Sequence, residues 1–505
     1  MNNALLYDGL DHWARKNPDK AALVRDDGVA VSYAELARWS DGIAAHLGSI
    51  GVAPGDVVAV SGLSCFEWIA SAFGVYKAGA ILSPFNERFV AAEMAHLISV
   101  TTPSAAIADV DRAALLREAS PSLTVLAMED MELHRDGPPA GWTKPDISSD
   151  AIALIIFTSG SSGKPKGVMF SHARHLDNIY ELQAIDRSCG PDMCYLLTVS
   201  MQSGPGSMFS YPMTMTFGGT MVFLRKFDPA AALRLIVDHR VTFLPTFPQL
   251  WEQIALLPDF ADADLSALHT AHVGGARVPP HILSKWREKG VMLRQIYGQT
   301  EVGGYATIAT DRECLGDKFS CGSGLIHTRI RIVGPDGEDC PPGVPGEVQI
   351  KGPGTMIGYW KNPEATAETI VDGWIHTGDL GLLDDDGDFV FVDRSKDMII
   401  TGGFNVSPLE IERVIGEIPE IVEVAVISVP DVKFGEAPAA CIFAEIDVEE
   451  EAVFLRCKAN LAGFKLPRYV IRTPEPLPRL SNGKLNKNVL REKYSDAADR
   501  FRKMG

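Results

Sequence analysis

Residues 158 to 167 read TSGSSGKPKG, with three Gly, three Ser, one Thr and two Lys in ten positions. Glycine lets a backbone turn its N–H groups toward one point and lets an anion approach closely. Thr158, Ser159, Ser161 and Ser162 add hydroxyl donors around Gly160 and Gly163, and Lys164 and Lys166 add charge. Such a loop is suited to gripping a phosphate. Its order is not that of a Walker loop. The apolar run AIALIIF precedes it and GVMF follows, so it joins two strands rather than opening a helix. Taken alone, the same composition also serves as a linker.

Further stretches carry complementary chemistry. In YGQTE, Tyr297 offers an aromatic face to a flat base, with Gly298 and Gln299 beside it. Thr300 offers a hydroxyl to a phosphate, and Glu301 a hard oxygen to Mg2+ shared with phosphate oxygens. Gly274, Gly275 and Ala276 allow close backbone approach to a base; a tight turn after a strand is the plainer reading. In TGDL, Asp379 can accept from two neighbouring ribose hydroxyls with Arg394 in support; a turn Asp and a surface ion pair are the alternatives. Lys484 follows Asn482-Gly483, a strong turn signal, and projects from a loop tip like many solvated lysines.

These residues need a scaffold. The chain has 505 residues, room for roughly three domains. It is 46% hydrophobic and 22% charged, with a net charge of −18 that disfavours nucleic acid and anionic lipid as partners. No apolar run approaches the ~18 residues of a membrane span, and the N-terminus lacks a signal-peptide pattern. Eight cysteines without C-x-x-C or zinc spacing read as buried thiols in a reducing, cytoplasmic compartment. The twelve histidines form no metal signature.

The first two-thirds alternate strand and helix. Ser32 and Glu35 open a helix with a capping box, and DVVAVSG, AILSPF, SAAIAD, VTFLPTF and VMLRQIYG read as strands of mostly parallel sheets. From about 325 to 394 short strands alternate with Pro, Gly and Asp turns, which predicts a small antiparallel sheet or barrel. After Arg394 the pattern turns mixed again. The expected fold is α/β: a large domain, 1–394, of two α/β lobes and the β-rich part, then a small α+β domain, 395–505.

TSGSSGKPKG resembles the phosphate-gripping loop of the adenylate-forming superfamily of acyl-CoA synthetases, luciferases and adenylation domains. The superfamily's other motifs follow in order: VGGARVPP, YGQTEVGG, GYWKNPEAT, GWIHTGDLG, DRSKDMIITGGFNVSPLEIE, FKLPRY and PRLSNGKLNK. The resemblance implies an acyl-CoA ligase that uses ATP, Mg2+ and CoA. A carboxylate attacks the α-phosphorus of ATP, giving acyl-AMP and pyrophosphate; CoA thiol then displaces AMP. It implies ATP binding by Thr158, Ser159, Gly160, Ser161, Ser162, Gly163, Lys166, the 274–276 and 297–300 segments, Asp379 and Arg394. Glu301 and Thr158 would hold the metal, and Lys484 would bridge carboxylate and α-phosphate. Lys396 would be the hinge of a mobile C-terminal domain, with Gly402, Gly403 and Phe404 lining a pantetheine tunnel. A homodimer is also compatible with it.

One segment departs from the pattern. Where relatives carry an aromatic–His pair, Gln202 and Ser203 stand in TVSMQSGPGSMF. CoA is the acceptor that the resemblance implies, while this departure keeps an amine or a carrier-protein thiol as the alternative; a silent nucleotide sensor is the remote one. Met201, Gln202, Ser203, Met208, Gly275, Gly303 and Gly304 predict a roomy acyl pocket for a ring-bearing acid.

Overall fold

The computed structural model describes residues 4–504 apart from 159–164, 187, 277, 311–313, 315–319, 395–396, 402–403, 432–434, 462 and 481–483. The chain divides into two compact units, Met1–Ile330 with Gln349–Thr377, and Arg331–Val348 with Gly378–Gly505.

Two sheets organise the first unit. In one, Leu293–Tyr297, Thr270–Val273, Phe243–Thr246, Cys194–Leu197, Thr220–Phe223 and Ala21–Arg25 run parallel in that spatial order. Antiparallel strands flank them, Thr307–Ile308 and Ser323–Gly324 at one edge and Ala30–Ser32 at the other. In the second sheet Val125–Ala127, Ala105–Ala108, Val57–Ser61, Ile81–Pro84 and Ile152–Thr158 are parallel. Lys166–Ser171 returns antiparallel to Ile152–Thr158, and Gly358–Tyr359 closes that edge.

Parallel strands covered by helices on both faces must be apolar throughout. That is why AIALIIF and DVVAVSG lack polar alternation. Helix starts follow side-chain chemistry: Ser32 and Glu35 form the expected capping box, and the Ser171 hydroxyl accepts from the Arg174 amide at the head of His172–Ile185. Trp39, Trp68, Trp251 and Trp286 expose no surface. Ligands of such sheets bind beyond the carboxyl ends of the strands. Those ends deliver Thr158, the 274–276 turn and Tyr297 with the residues that follow it.

The second unit carries its own sheet, ordered Phe404–Val406, Ile399–Thr401, Gly435–Phe443 and Glu423–Asp431, with Tyr469–Arg472 parallel to Gly435–Phe443. Side chains alternate between its faces. Val426 packs with Ile411, Val414 and Val453 on one side, while Ala425 and Ile427 pack with Leu477, Leu490 and Tyr494 on the other. Asp379–Leu383 pairs antiparallel with Phe389–Arg394 around a turn at which Gly387 has φ +83°. Four of the eight cysteines are buried as expected; Cys194, Cys314, Cys321 and Cys340 are partly exposed because they end strands or sit in connections.

Candidate active site

Thr158 is the last residue of Ile152–Thr158 and pairs with Lys166 across the hairpin. Ser159, Gly160, Ser161, Ser162 and Gly163 lie outside the described residues. Glu301 sits on the short turn Thr300–Val302. Although 143 residues separate them, the Thr158 hydroxyl donates to Glu301 Oε1 at 3.4 Å. The Tyr359 hydroxyl donates to the same oxygen at 3.0 Å. The Met356 amide donates to the Glu301 carbonyl at 2.9 Å. Burial and the Glu301 charge push the Tyr359 phenol well above its usual range, so it stays a donor. Lys166 Nζ stands 4.9 Å from the Tyr359 ring centroid. One carboxylate is thus aimed by two hydroxyls beside a lysine, at the mouth of the Gly/Ser loop. Sequence reasoning assigned Tyr359 no role; its only signal was its place in GYWKNPEAT.

The 297–304 turn is compact because it has to be. A Cβ on Gly298 would lie 2.1 Å from the Gly304 carbonyl oxygen. Gly303 has φ +84° and ends the Thr300–Val302 turn. Tyr297 is 8% exposed, and Gln299 Nε2 donates to the Thr377 carbonyl at 3.3 Å. Thr300 Oγ1 lies 3.5 Å from where a Gly204 Cβ would be, which brings the 200–206 segment to the same place. Gly274 and Gly275 form the turn after Thr270–Val273; Gly275 has φ +76°, and Ala276 is exposed.

Met201 and Met208 expose nothing. Gln202, in place of the aromatic–His pair, is buried and tied: its amide nitrogen donates to the Gly62 carbonyl and its oxygen faces the Ser200 hydroxyl. Ser200 Oγ also lies 2.8 Å from Glu87 Oε2. Ser203 donates to the Ser200 carbonyl at 2.6 Å. A five-residue π turn, Gly206–Ser210, follows; such turns occur often at functional sites. His175 Nε2 donates to the Met208 carbonyl at 2.7 Å. Phe209, on the same turn, packs against Gly304. Sequence reasoning missed Glu87, His175 and Phe209, whose relevance comes only from contacts across the fold.

In the second unit Asp379 is 4% exposed and pairs in register with Arg394. Lys484 is exposed, and its carbonyl accepts from the Leu480 amide at 2.7 Å. Lys396, Gly402, Gly403 and the side chains of Arg394 and Phe404 lie outside the described residues.

One further feature lies apart from the Thr158–Glu301 meeting. A cavity of about 710 Å³, lined by Asp186, Ser188, His269, Lys289 and Arg294 among others, lies at the amino-terminal ends of Thr270–Val273 and Leu293–Tyr297. Among the described residues no group of three or more His, Cys, Asp or Glu is placed to hold a metal, and no helix is long and apolar enough to cross a membrane.

Comparison with known proteins agrees with this geometry. The profile of the family described as AMP-binding enzyme matches residues 10–360, and that of the AMP-binding enzyme C-terminal domain matches residues 410–484. The chain is 35% identical over 503 residues to a feruloyl-CoA synthase of an Amycolatopsis species, covering 96% of this chain and 99% of that protein. It is 32% identical to an indoleacetate–CoA ligase of Aromatoleum aromaticum, covering 96% and 98%. Among solved structures, ATP-bound MatB from Rhodopseudomonas palustris superposes with a TM-score of 0.89 at 30% identity, covering 98% of this chain and all of that one.

Proposed function

The chain belongs to the AMP-binding enzyme family and is an AMP-forming acid–thiol ligase; we propose that its acid is ring-bearing and that the residues brought together around Glu301 grip the triphosphate of ATP. In the first half-reaction a carboxylate oxygen bonds the α-phosphorus as the bond to pyrophosphate breaks. In the second, the CoA sulfur bonds the acyl carbon, AMP leaves, and the thiol proton passes to solvent. Feruloyl and indoleacetyl acids, named for two relatives, both carry rings. Gly275, Gly303 and Gly304 are closely approached by Phe247, Asn178 and Phe209, so the ring-bearing reading rests on those relatives.

The observation that carries the nucleotide assignment is the meeting of Thr158 with Glu301. A single hard carboxylate beside a hydroxyl fits Mg2+ whose remaining ligands are phosphate oxygens and water. Bound there, Mg2+ would neutralise triphosphate charge. Thr158 and Glu301 would hold it, and Thr300 would bond phosphate. Tyr297 and the 274–276 turn would flank adenine; Asp379, with Arg394, would hold the ribose. Lys484 would stand between carboxylate and α-phosphate, screening their repulsion. Lys396 would be the hinge between the half-reactions, with Gly402, Gly403 and Phe404 along the pantetheine path. We place the enzyme in the cytoplasm, where its eight free thiols stay reduced.

The test is pyrophosphate release over aliphatic, aromatic and polycyclic acids, each with and without CoA. Ring-bearing acids should release pyrophosphate and, with CoA, form thioesters. Activity restricted to straight-chain acids would overturn the ring-bearing assignment.

A further inference from the structure

Three buried polar side chains, Asp186, His272 and Tyr305, lie behind Phe209 of the Gly206–Ser210 turn, and the family motifs do not include them. Asp186, 3% exposed on its side chain, is fixed by the Thr270 hydroxyl at 2.8 Å, the Ser188 amide at 3.0 Å and Arg294 Nη1 at 3.4 Å. Its Oδ2 lies 3.4 Å from Nε2 of His272, which exposes no surface. On the other side of that ring, Nδ1 lies 3.2 Å from the Tyr305 hydroxyl.

Nδ1 of His272 shares a hydrogen bond with the Tyr305 hydroxyl, while Nε2 lies near the Asp186 carboxylate without hydrogen-bond geometry. Burial holds His272 below its ordinary range, in the neutral form.

These side chains fix an aromatic wall. Tyr305 follows Gly303-Gly304 in sequence. Its ring meets Phe209 edge to face, with centroids 4.5 Å apart at 77°. Phe209 in turn closes on Gly304: a Cβ there would stand 2.7 Å from its Cε2. The π turn that carries Phe209 is pinned by His175 to the Met208 carbonyl and by the Ser207 hydroxyl to the Met201 carbonyl at 2.6 Å. Phe209 is thus held from both sides, and Tyr305 cannot rotate without giving up its bond to His272.

We infer that Asp186, His272 and Tyr305 are positioning residues that set, through Phe209, which acids the pocket accepts. They touch neither nucleotide nor acid. The inference rests on the acyl-activating function proposed above. It also accounts for a buried polar cluster in which Thr270, Ser188 and Arg294 hold Asp186 and Tyr305 holds His272, since hydrogen bonds fix orientation more sharply than packing alone.

The test is acid-dependent pyrophosphate release for wild type, Tyr305→Phe, Phe209→Leu and the double variant, on a ring-bearing and a straight-chain acid. Tyr305→Phe keeps the ring and removes one hydrogen bond. It should cut the preference for the ring-bearing acid by about 3- to 10-fold, through KM for the acid, with KM for ATP unchanged. Added to Phe209→Leu it should change the preference no further, because it acts through that ring. An unchanged preference in Tyr305→Phe overturns the inference, and so does an equal further change in the double variant. His272→Gln, which keeps a donor and an acceptor, should restore more of the preference than His272→Leu; equal loss in both would count against it. If wild type releases pyrophosphate with no acid at all, the proposed function fails instead.

Discussion

Thr158 Oγ1 and Glu301 Oε1 lie 3.4 Å apart, each at the carboxyl end of its own sheet's strand, and Tyr359 bonds the same carboxylate oxygen. Glu301→Gln keeps the shape and removes the charge. Acyl-AMP formation should fall roughly 10²–10³-fold, with a weaker response to added Mg2+ and an unchanged melting temperature. Retention of full activity at low Mg2+ would remove Glu301 from the metal role.

Lys484 is exposed in the second unit. Lys484→Ala should abolish formation of acyl-AMP, measured as pyrophosphate exchange, while chemically prepared acyl-AMP still yields acyl-CoA. Equal loss of both steps would contradict a role confined to the first.

Gly303 tests the turn's geometry. At φ +84° an added Cβ would stand 2.2 Å from Asn178 Nδ2, and Asn178 is itself bonded to the Gly354 carbonyl at 2.8 Å. The side chain cannot swing away without losing that bond. Gly303→Ala should cost about 2 kcal/mol or more, read as a lower urea midpoint. Gly337, at φ +85° with nothing within 4 Å, should tolerate Ala with a smaller loss.

His175, wholly buried, is held down at about 4 by desolvation, and His172 beside it at about 3. Their unfolded values are near 6.5. The unfolded chain therefore takes up protons first as pH falls. The stability these residues contribute is complete above about pH 6.5 and drains away toward pH 4. Between pH 7.5 and 5, His175 alone should account for roughly 2 kcal/mol. Urea unfolding at the two pH values checks this: His175→Gln should show a shallower loss than wild type.

Much of this was legible in the chain itself. The apolar runs and the caps at Ser32 and Ser171 announced parallel strands and helix starts, because backbone geometry and local hydrogen bonding depend on near neighbours. Gly274 and Gly275 announced a tight turn after a strand for the same reason. The ordered motifs announced an AMP-binding enzyme through their resemblance to that family, whose profiles match the chain.

What the linear order could not settle was which side chains share a place. Tyr359 on Glu301, Gln202 on Gly62, His175 on Met208 and the Asp186–His272–Tyr305 cluster join residues 33 to 140 positions apart. Those meetings depend on strand order and sheet twist, which arise from packing the whole core and leave no local pattern. The sequence alone determined the kind of chemistry and the elements that carry it. Tertiary structure decided which groups aim Glu301 and which hold Phe209, because long-range burial sets those distances.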